Sequence, residues 1–326
     1  MDYQLLLTAP GGGKVRDISA LAVTTSWSGS VDQVSREVSA TLAVPRDGSV
    51  ELPELVEGAA LTLRSGEESL FTGQLLSVTT SSQDSLVDLS ALDNGRFLVG
   101  NQGFYKFTSA APETALATLA RDFGIPVASL AATGVRVSRK FAGVALDRIA
   151  RTLYALAGEK TGRRYLVRFT GEGKLEVAAR PERPAFAISS TMSVVNTWDI
   201  TGLANSVAIR SETGELIRRL DDAASVALNG RLEQVLTQSD GEDLSHEARA
   251  ILTDNGLQQR LTVETLGDIR LRAGEAVELR DTGSGVSGLF WIDEDTHTWK
   301  KGQHFTRLTL NFRNLLDNSS AGSVIT

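Results

Sequence analysis

The sequence predicts a mainly β chain of the α+β class, in which two antiparallel β regions flank a small insert carrying helices. Three observations lead there. Short runs rich in Val, Leu and Thr, punctuated by Gly, Ser, Asp and Pro, fill residues 5–92. The period then changes to helical spacing within 111–158, and strand-like text returns over 257–312. With 326 residues, 41% hydrophobic and 22% charged, the composition is that of a folded globular chain long enough for two or three cores.

Taken in order, "ISALAVTTSWSG", "REVSATLAVP", "AALTLRSGEESLFTGQLLSV" and "DSLVDLSAL" read as strands of a first β domain. "APETALATLARDFGI" reads as a helix, with Pro112 in its first turn, a stripe of Leu116, Leu119, Ala120 and Phe123, and Gly124 as its stop. A second helix in "VALDRIARTLYALAG" carries Leu146, Ile149, Leu153 and Tyr154 and ends at Gly158; both stripes read as core. "GRRYLVRFTGEGKLEVAARPERP" reads as a hairpin with a Gly-Glu-Gly turn, followed by a linker at Pro181–Pro184. Strands at 206–210, a third helix at about 242–255 stopped by Gly256, and a closing β stretch at 257–312 complete the pattern. The expected domains are therefore 1–100 (β), 101–184 (two helices and a hairpin), 185–316 (β with one helix) and a frayed, flexible tail at 317–326.

A formal charge of −7, a pI near 5.2 and basic residues no denser than pairs (Arg163-Arg164, Arg218-Arg219, Lys300-Lys301) argue against specific nucleic-acid binding, which needs clustered cations to neutralise phosphates. The chain has no cysteine, which removes disulfides, thiolate metal sites and thiol nucleophiles. Neither a secretory signal nor a membrane span is expected.

The stretch "LFWIDEDTHTWKKGQHFTRLTLNF", residues 289–312, concentrates acids and histidines. Read as an extended strand, it puts Asp293, Asp295 and His297 on one face, opposite Phe290, Ile292, Thr296 and Thr298. These are potential metal ligands. The apolar face of the next strand (Leu308, Leu310, Phe312) matches Phe290 and Ile292 if the loop around "KKGQ" has three or five residues. That register sets the three polar residues beside Arg307, with His304 on the other face, and favours a salt-bridged sheet surface over a metal centre. His246 reads as an exposed helical residue.

The two β regions also resemble each other. "EGAALTLR" (57–64) aligns with "AGEAVELR" (273–280) on Gly58 and Gly274, "SLFTGQLLSVTT" with "GLFWIDEDTHTW" by Leu70-Phe71 on Leu289-Phe290, and "DLSAL" with "RLTLN" by Leu89 on Leu308. A duplicated β domain is the reading. No G-x-S-x-G, H-E-x-x-H or P-loop motif is present, and no catalytic residue, cofactor or metal is expected.

The order of "VTTSWSGSVDQVSREVSATLAVP", "GEESLFTGQLLSV", "ARDFGIPVASLAATGV", "GEKTGRRYLVRFTGEGKLEV", "TLGDIRLRAGEAVELRD" and "DTHTWKKGQHFTRLTL" resembles the XkdQ/YqbQ-like hub proteins of contractile tails, over roughly residues 20–312. The alanine-rich "AGVALDRIARTLYALAG" and short insertions depart from that pattern without touching its order. The resemblance implies two tube-like antiparallel β-barrel domains with a small helical α+β insert, and a non-enzymatic baseplate hub of a phage tail or tail-derived injection system. It implies a homotrimer, assembled in the bacterial cytoplasm, whose six β domains join the tail tube, or its initiator, to a three-fold central spike, with wedge components around it. Thr62, Arg64, Glu278 and Arg280 are then expected at the ring or its subunit contacts, and Trp27 and Trp299 as interface anchors or core residues. Three chains of −7 would suit an acidic channel. The rival readings are a tube initiator or distal-tail adaptor with one β domain per chain, and a metal-dependent cell-wall hydrolase acting through Asp293, Asp295 and His297.

Overall fold

A computed structural model describes residues 3–45, 55–81, 85–239, 244–312 and 321–324. The chain begins with strands β1 (Tyr3–Thr8), β2 (Arg16–Asp17), β3 (Ala22–Ser30), β4 (Glu37–Ala43), β5 (Ala60–Ser65), β6 (Glu68–Thr80) and β7 (Leu86–Asp93). Strict alternation sets their faces: Tyr3, Leu5 and Leu7 of β1 and Val38, Ala40 and Leu42 of β4 turn inward, while their neighbours are partly or fully exposed. These side chains meet Trp27, Leu61, Leu63, Phe71, Leu75 and Leu89 in one core. Each fully buried Leu there contributes roughly 1.5–3 kcal/mol.

The insert follows as α1 (Gly95–Gly100), β8 (Gln102–Ala110), α2 (Pro112–Asp122), β9 (Val127–Leu130), β10 (Val137–Ala145), α3 (Leu146–Thr161), β11 (Tyr165–Phe169) and β12 (Leu175–Ala179). Pro112 opens α2, where its missing N–H costs nothing, and Gly124 follows the helix with φ 63°. Leu116, Leu119 and Ala120 of α2 and Leu146, Ile149, Leu153 and Tyr154 of α3 share a core with Phe141, Tyr165 and Leu175. Two details depart from expectation. Phe123 lies beyond the last helical residue and is 38% exposed, so it leaves the stripe. Helix α3 runs past Gly158, whose carbonyl accepts from Gly162 N at 2.8 Å, and stops at Gly162 with φ 70°. The left-handed cap needs a glycine; Gly158, buried inside the helix, does not end it.

Beyond the linker come β13 (Phe186–Ile188), β14 (Ser193–Asp199), β15 (Ser206–Ser211), β16 (Leu216–Asp221), α4 (Ala223–Asn229), β17 (Glu233–Gln238), α5 (Ser245–Asp254), β18 (Gln258–Leu266), β19 (Ala276–Asp281), β20 (Val286–Lys300), β21 (Gln303–Asn311) and β22 (Ser323–Val324). Val195–Leu261 form a compact unit of their own, with β15 between β16 and β17 and α5 packed on it through Val207, Ile209 and Ala248. Asp222 caps α4 by accepting from Ser225 N at 3.0 Å, a helix the sequence pattern did not signal. Of the expected third helix, 242–243 lie outside the described residues, as does the side chain of His246.

The remaining residues form the larger unit. The main sheet continues from the first β region into the last: β3 pairs with β20, and the strand order is β14-β18-β21-β20-β3-β4-β7-β6-β5-β1-β2, with β19 pairing one half of β20 and β13 beside β19; most of β14 and the start of β18 fall within Val195–Leu261. Of the expected tail, 317–320 and 325–326 lie outside the described residues, whereas β22 pairs with β10 through Arg139↔Val324 and Lys140↔Ser323.

Candidate functional site

Two three-strand meanders, β5–β6–β7 and β19–β20–β21, are built alike. Gly58 and Gly274 precede them with φ 84° and 95°. Gly58 N donates to Leu75 O and Leu75 N to Ala59 O (2.8 and 2.9 Å); Gly274 N donates to Ile292 O and Ile292 N to Glu275 O at the same distances. The pairs Ala60↔Gln74 and Leu61↔Gly73 correspond to Ala276↔Trp291 and Val277↔Phe290. Both middle strands then bulge at the same place, between Leu75 and Ser77 in β6 and between Ile292 and Glu294 in β20. After the bulge, Val78↔Leu89 corresponds to Asp295↔Leu308.

Leu89 therefore does lie on Leu308, but Leu70-Phe71 does not lie on Leu289-Phe290. The register sets Phe71, opposite Leu63, against Gly288, opposite Leu279. The shift is two residues, which preserves the face of every side chain and is invisible to a pattern of period two.

The bulge also overturns the expected faces of β20. One extra residue reverses the alternation, so Phe290 and Ile292 before it and Asp295, His297 and Trp299 after it are all buried on one side. Asp293 is the residue left out of the ladder. Arg180, following β12, holds it there, donating to Asp293 Oδ1 at 2.8 Å and to Ile292 O at 3.0 Å, while Asn311 Nδ2 donates to Asp293 Oδ2 at 3.0 Å. The following hairpin has a two-residue turn, not three or five: Lys300 pairs with Gln303, and Lys301 and Gly302 both take positive φ (52° and 75°). His304, opposite Trp299, consequently shares a face with His297, and Arg307 lies opposite Thr296, within 3.8 Å of Glu264.

Asp295 and His297, 1% and 0% exposed, are the centre of a buried polar network. Arg36 from the β3–β4 connection forks onto both carboxylate oxygens, with Nη1–Oδ1 at 3.0 Å, and lies 4.1 Å over the Trp27 ring. Ala273 N donates to Asp295 Oδ1 at 2.6 Å. His297 Nε2 faces two acceptors, Leu271 O at 3.1 Å and Asp295 Oδ2 at 3.3 Å, and therefore carries a proton; Nδ1 faces His304 Nε2 and Thr306 Oγ1, each at 3.2 Å. Burial pushes the Asp295 carboxyl up, but Arg36 and the His297 hydrogen bond outweigh it and hold it down to about 2. Burial and the neighbouring His297 lower His304 to about 4.

This network is sealed. Trp27 and His297 rings lie 5.0 Å apart and Trp299 stacks on His304 at 4.3 Å, so neither Asp295 nor His297 presents a free lone pair to a substrate. Among the described residues no three His, Asp or Glu side chains are grouped to hold a metal ion. Its chemistry is that of a fastener joining β3, the β3–β4 connection, Leu271–Ala273 and β20. Sequence reasoning found Asp295 and His297 but missed Arg36 and Arg180, since nothing near them in the chain announces a partner more than a hundred residues away.

Of the expected contact residues, Trp27 and Trp299 are 1% and 7% exposed inside this chain's own core, so the core alternative describes them. Thr62, Arg64 and Glu278 are partly exposed and Arg280 exposed, on the equivalent strands β5 and β19; Arg280 Nη2 donates to Glu278 at 2.7 Å.

The fold is that of phage tail proteins. The 43 kDa tail protein of prophage MuSo2 from Shewanella oneidensis superposes with a TM-score of 0.71 at 13% identity, over 96% of this chain and all of that one. Residues 25–311 match the YQBQ-like family, and the chain belongs to it. Two Bacillus subtilis (strain 168) relatives are YqbQ, 25% identical over 86% of this chain and 89% of that protein, and the phage-like element PBSX protein XkdQ, 24% identical over 88% and 91%.

Proposed function

We propose that this protein is a structural hub of a contractile-tail baseplate, in a virion or a tail-derived injection particle, and that three copies form a ring joining tail tube to central spike. The observation that carries this reading is the pair of meanders equivalent in glycine, register and bulge. A chain holding two equivalent β modules generates six around a three-fold axis, which is what an adaptor between a six-fold tube and a three-fold spike requires. The division into two tube-like β domains, 1–100 and 185–316, with the insert between them and wedge components outside, belongs to the same reading. The role is mechanical, since the two residues best suited to chemistry, Asp295 and His297, are consumed by a sealed ion-pair network.

Light scattering after size exclusion, at several concentrations and with the neighbouring spike protein added, tests it. A trimer is expected. A hexamer would favour a tube initiator, and a persistent monomer would overturn the ring.

A further inference from the structure

The two meanders differ along one edge. In β20, the half beyond the bulge is covered by β3, from Glu294↔Ser30 to Lys300↔Thr24. The equivalent half of β6, Ser77–Thr80, pairs with β7 on one side, and on its other side no strand lies beside it among the described residues. The side chains register the missing cover: Asp295 and His297 are buried, whereas their equivalents Val78 and Thr80 are half-buried and exposed, and Leu76 is 40% exposed.

Strand order says what belongs there. The first copy reads β3-β4-β7-β6-β5 and the second β14-β18-β21-β20-β19, so β14 stands in the second where β3 stands in the first. Strand β3 lies between β4 and β20, but among the described residues β14 has only β18 beside it and ends the sheet. Its Val195 and Trp198 are 53% and 58% exposed. Neither edge carries the usual guards against pairing: Leu76–Thr80 and Ser193–Asp199 contain no Lys and no Pro, and Asp199 is their single charge.

We infer that the Ser77–Thr80 edge of β6 is the docking site for β14 of a second copy of this chain, which adds to it antiparallel as β3 adds to β20 within one chain. This rests on the ring reading and gives it a specific joint. The contact is heterologous, one edge to a different edge, and three such joints close the ring with the β6 and β14 edges of every copy paired.

The cysteine-free chain allows a direct test. Full-length Thr79→Cys is mixed with Val195→Cys, Asn196→Cys or Thr197→Cys in separate mixtures, oxidised and resolved on denaturing gels; Ser28→Cys with Thr296→Cys, a directly paired position, is the within-chain control. For at least one mixture, covalent dimer should exceed that from any single variant alone by about tenfold. Trimers in solution without that dimer would overturn the strand joint and leave the ring standing. Dimer formed by chains whose mass grows open-endedly would uphold the joint and overturn the three-fold ring. Absence of both trimer and cross-link overturns both.

Discussion

The β5–β6–β7 and β19–β20–β21 meanders have one backbone and opposite interiors. Where β6 carries Val78 and Thr80, β20 carries Asp295 and His297. The polar pair is tolerable because Arg36, Ala273 N, Leu271 O, Thr306 and His304 satisfy it: Thr306 and His304 stand on β21, the counterpart of β7, whereas Arg36 is brought by the β3–β4 connection beside the covering strand β3. A backbone of one geometry thus accepts an apolar or an ionic interior, and its cover decides which.

The largest test of that contrast is to give β20 the residue of β6. Asp295→Val strands the Arg36 guanidinium, and a loss of about 3–5 kcal/mol in urea unfolding is expected. Adding Arg36→Met should restore at least half of it, whereas Val78→Asp in β6 should cost less than about 1 kcal/mol in the uncovered monomer, where the carboxylate reaches water.

Next in size are the glycines. Alanine at either Gly58 or Gly274 must hold a left-handed backbone, costing roughly 1–2 kcal/mol. A Cβ at Gly58 meets open space, while one at Gly274 would sit 2.2 Å from Leu166 Cδ1, so Gly274→Ala should be the more destabilising of the two by about 1 kcal/mol. Thermal unfolding of both variants gives the ordering.

A smaller effect is acid sensitivity confined to the second meander. His304 is lowered from 6.5 to about 4, so between those values the unfolded chain binds the proton and the folded chain does not. Stability is therefore complete above pH 6.5 and falls as pH drops toward 4, by about 1–2 kcal/mol once the ring's partial contact with water is allowed for. Asp295, held at about 2, adds a further loss only below the ordinary aspartate range. His304→Phe should flatten the profile between pH 6.5 and 4, read from denaturant midpoints.

The smallest stability change belongs to Arg64→Ala and Arg280→Ala, whose partners are an exposed carbonyl and an exposed carboxylate: within about 0.5 kcal/mol each. Loss of trimer mass without loss of fold would assign these side chains to the subunit contact.

Much of this molecule was legible because local rules suffice for it. Pro112 and the stripe of α2 follow from helix geometry, and the relation of Gly58 to Gly274 was visible because a left-handed position leaves little choice of residue. The candidate site was only half legible. Asp295 and His297 stand out as polar residues in a strand, but their burial depends on a bulge that no local composition marks.

What the sequence by itself determined is the mainly β class, the two longer helices of the insert, α2 and α3, and the existence of two related β modules, because periodicity and turn residues are properties of neighbouring positions. The tertiary structure alone decided which face of β20 is inside, that Arg36 and Arg180 are the cations that hold it, and that β3 covers β20 while no described strand covers the matching edge of β6. Those are contacts between residues up to 259 apart in the chain, and pairing over such distances is chosen by the packing of the whole sheet.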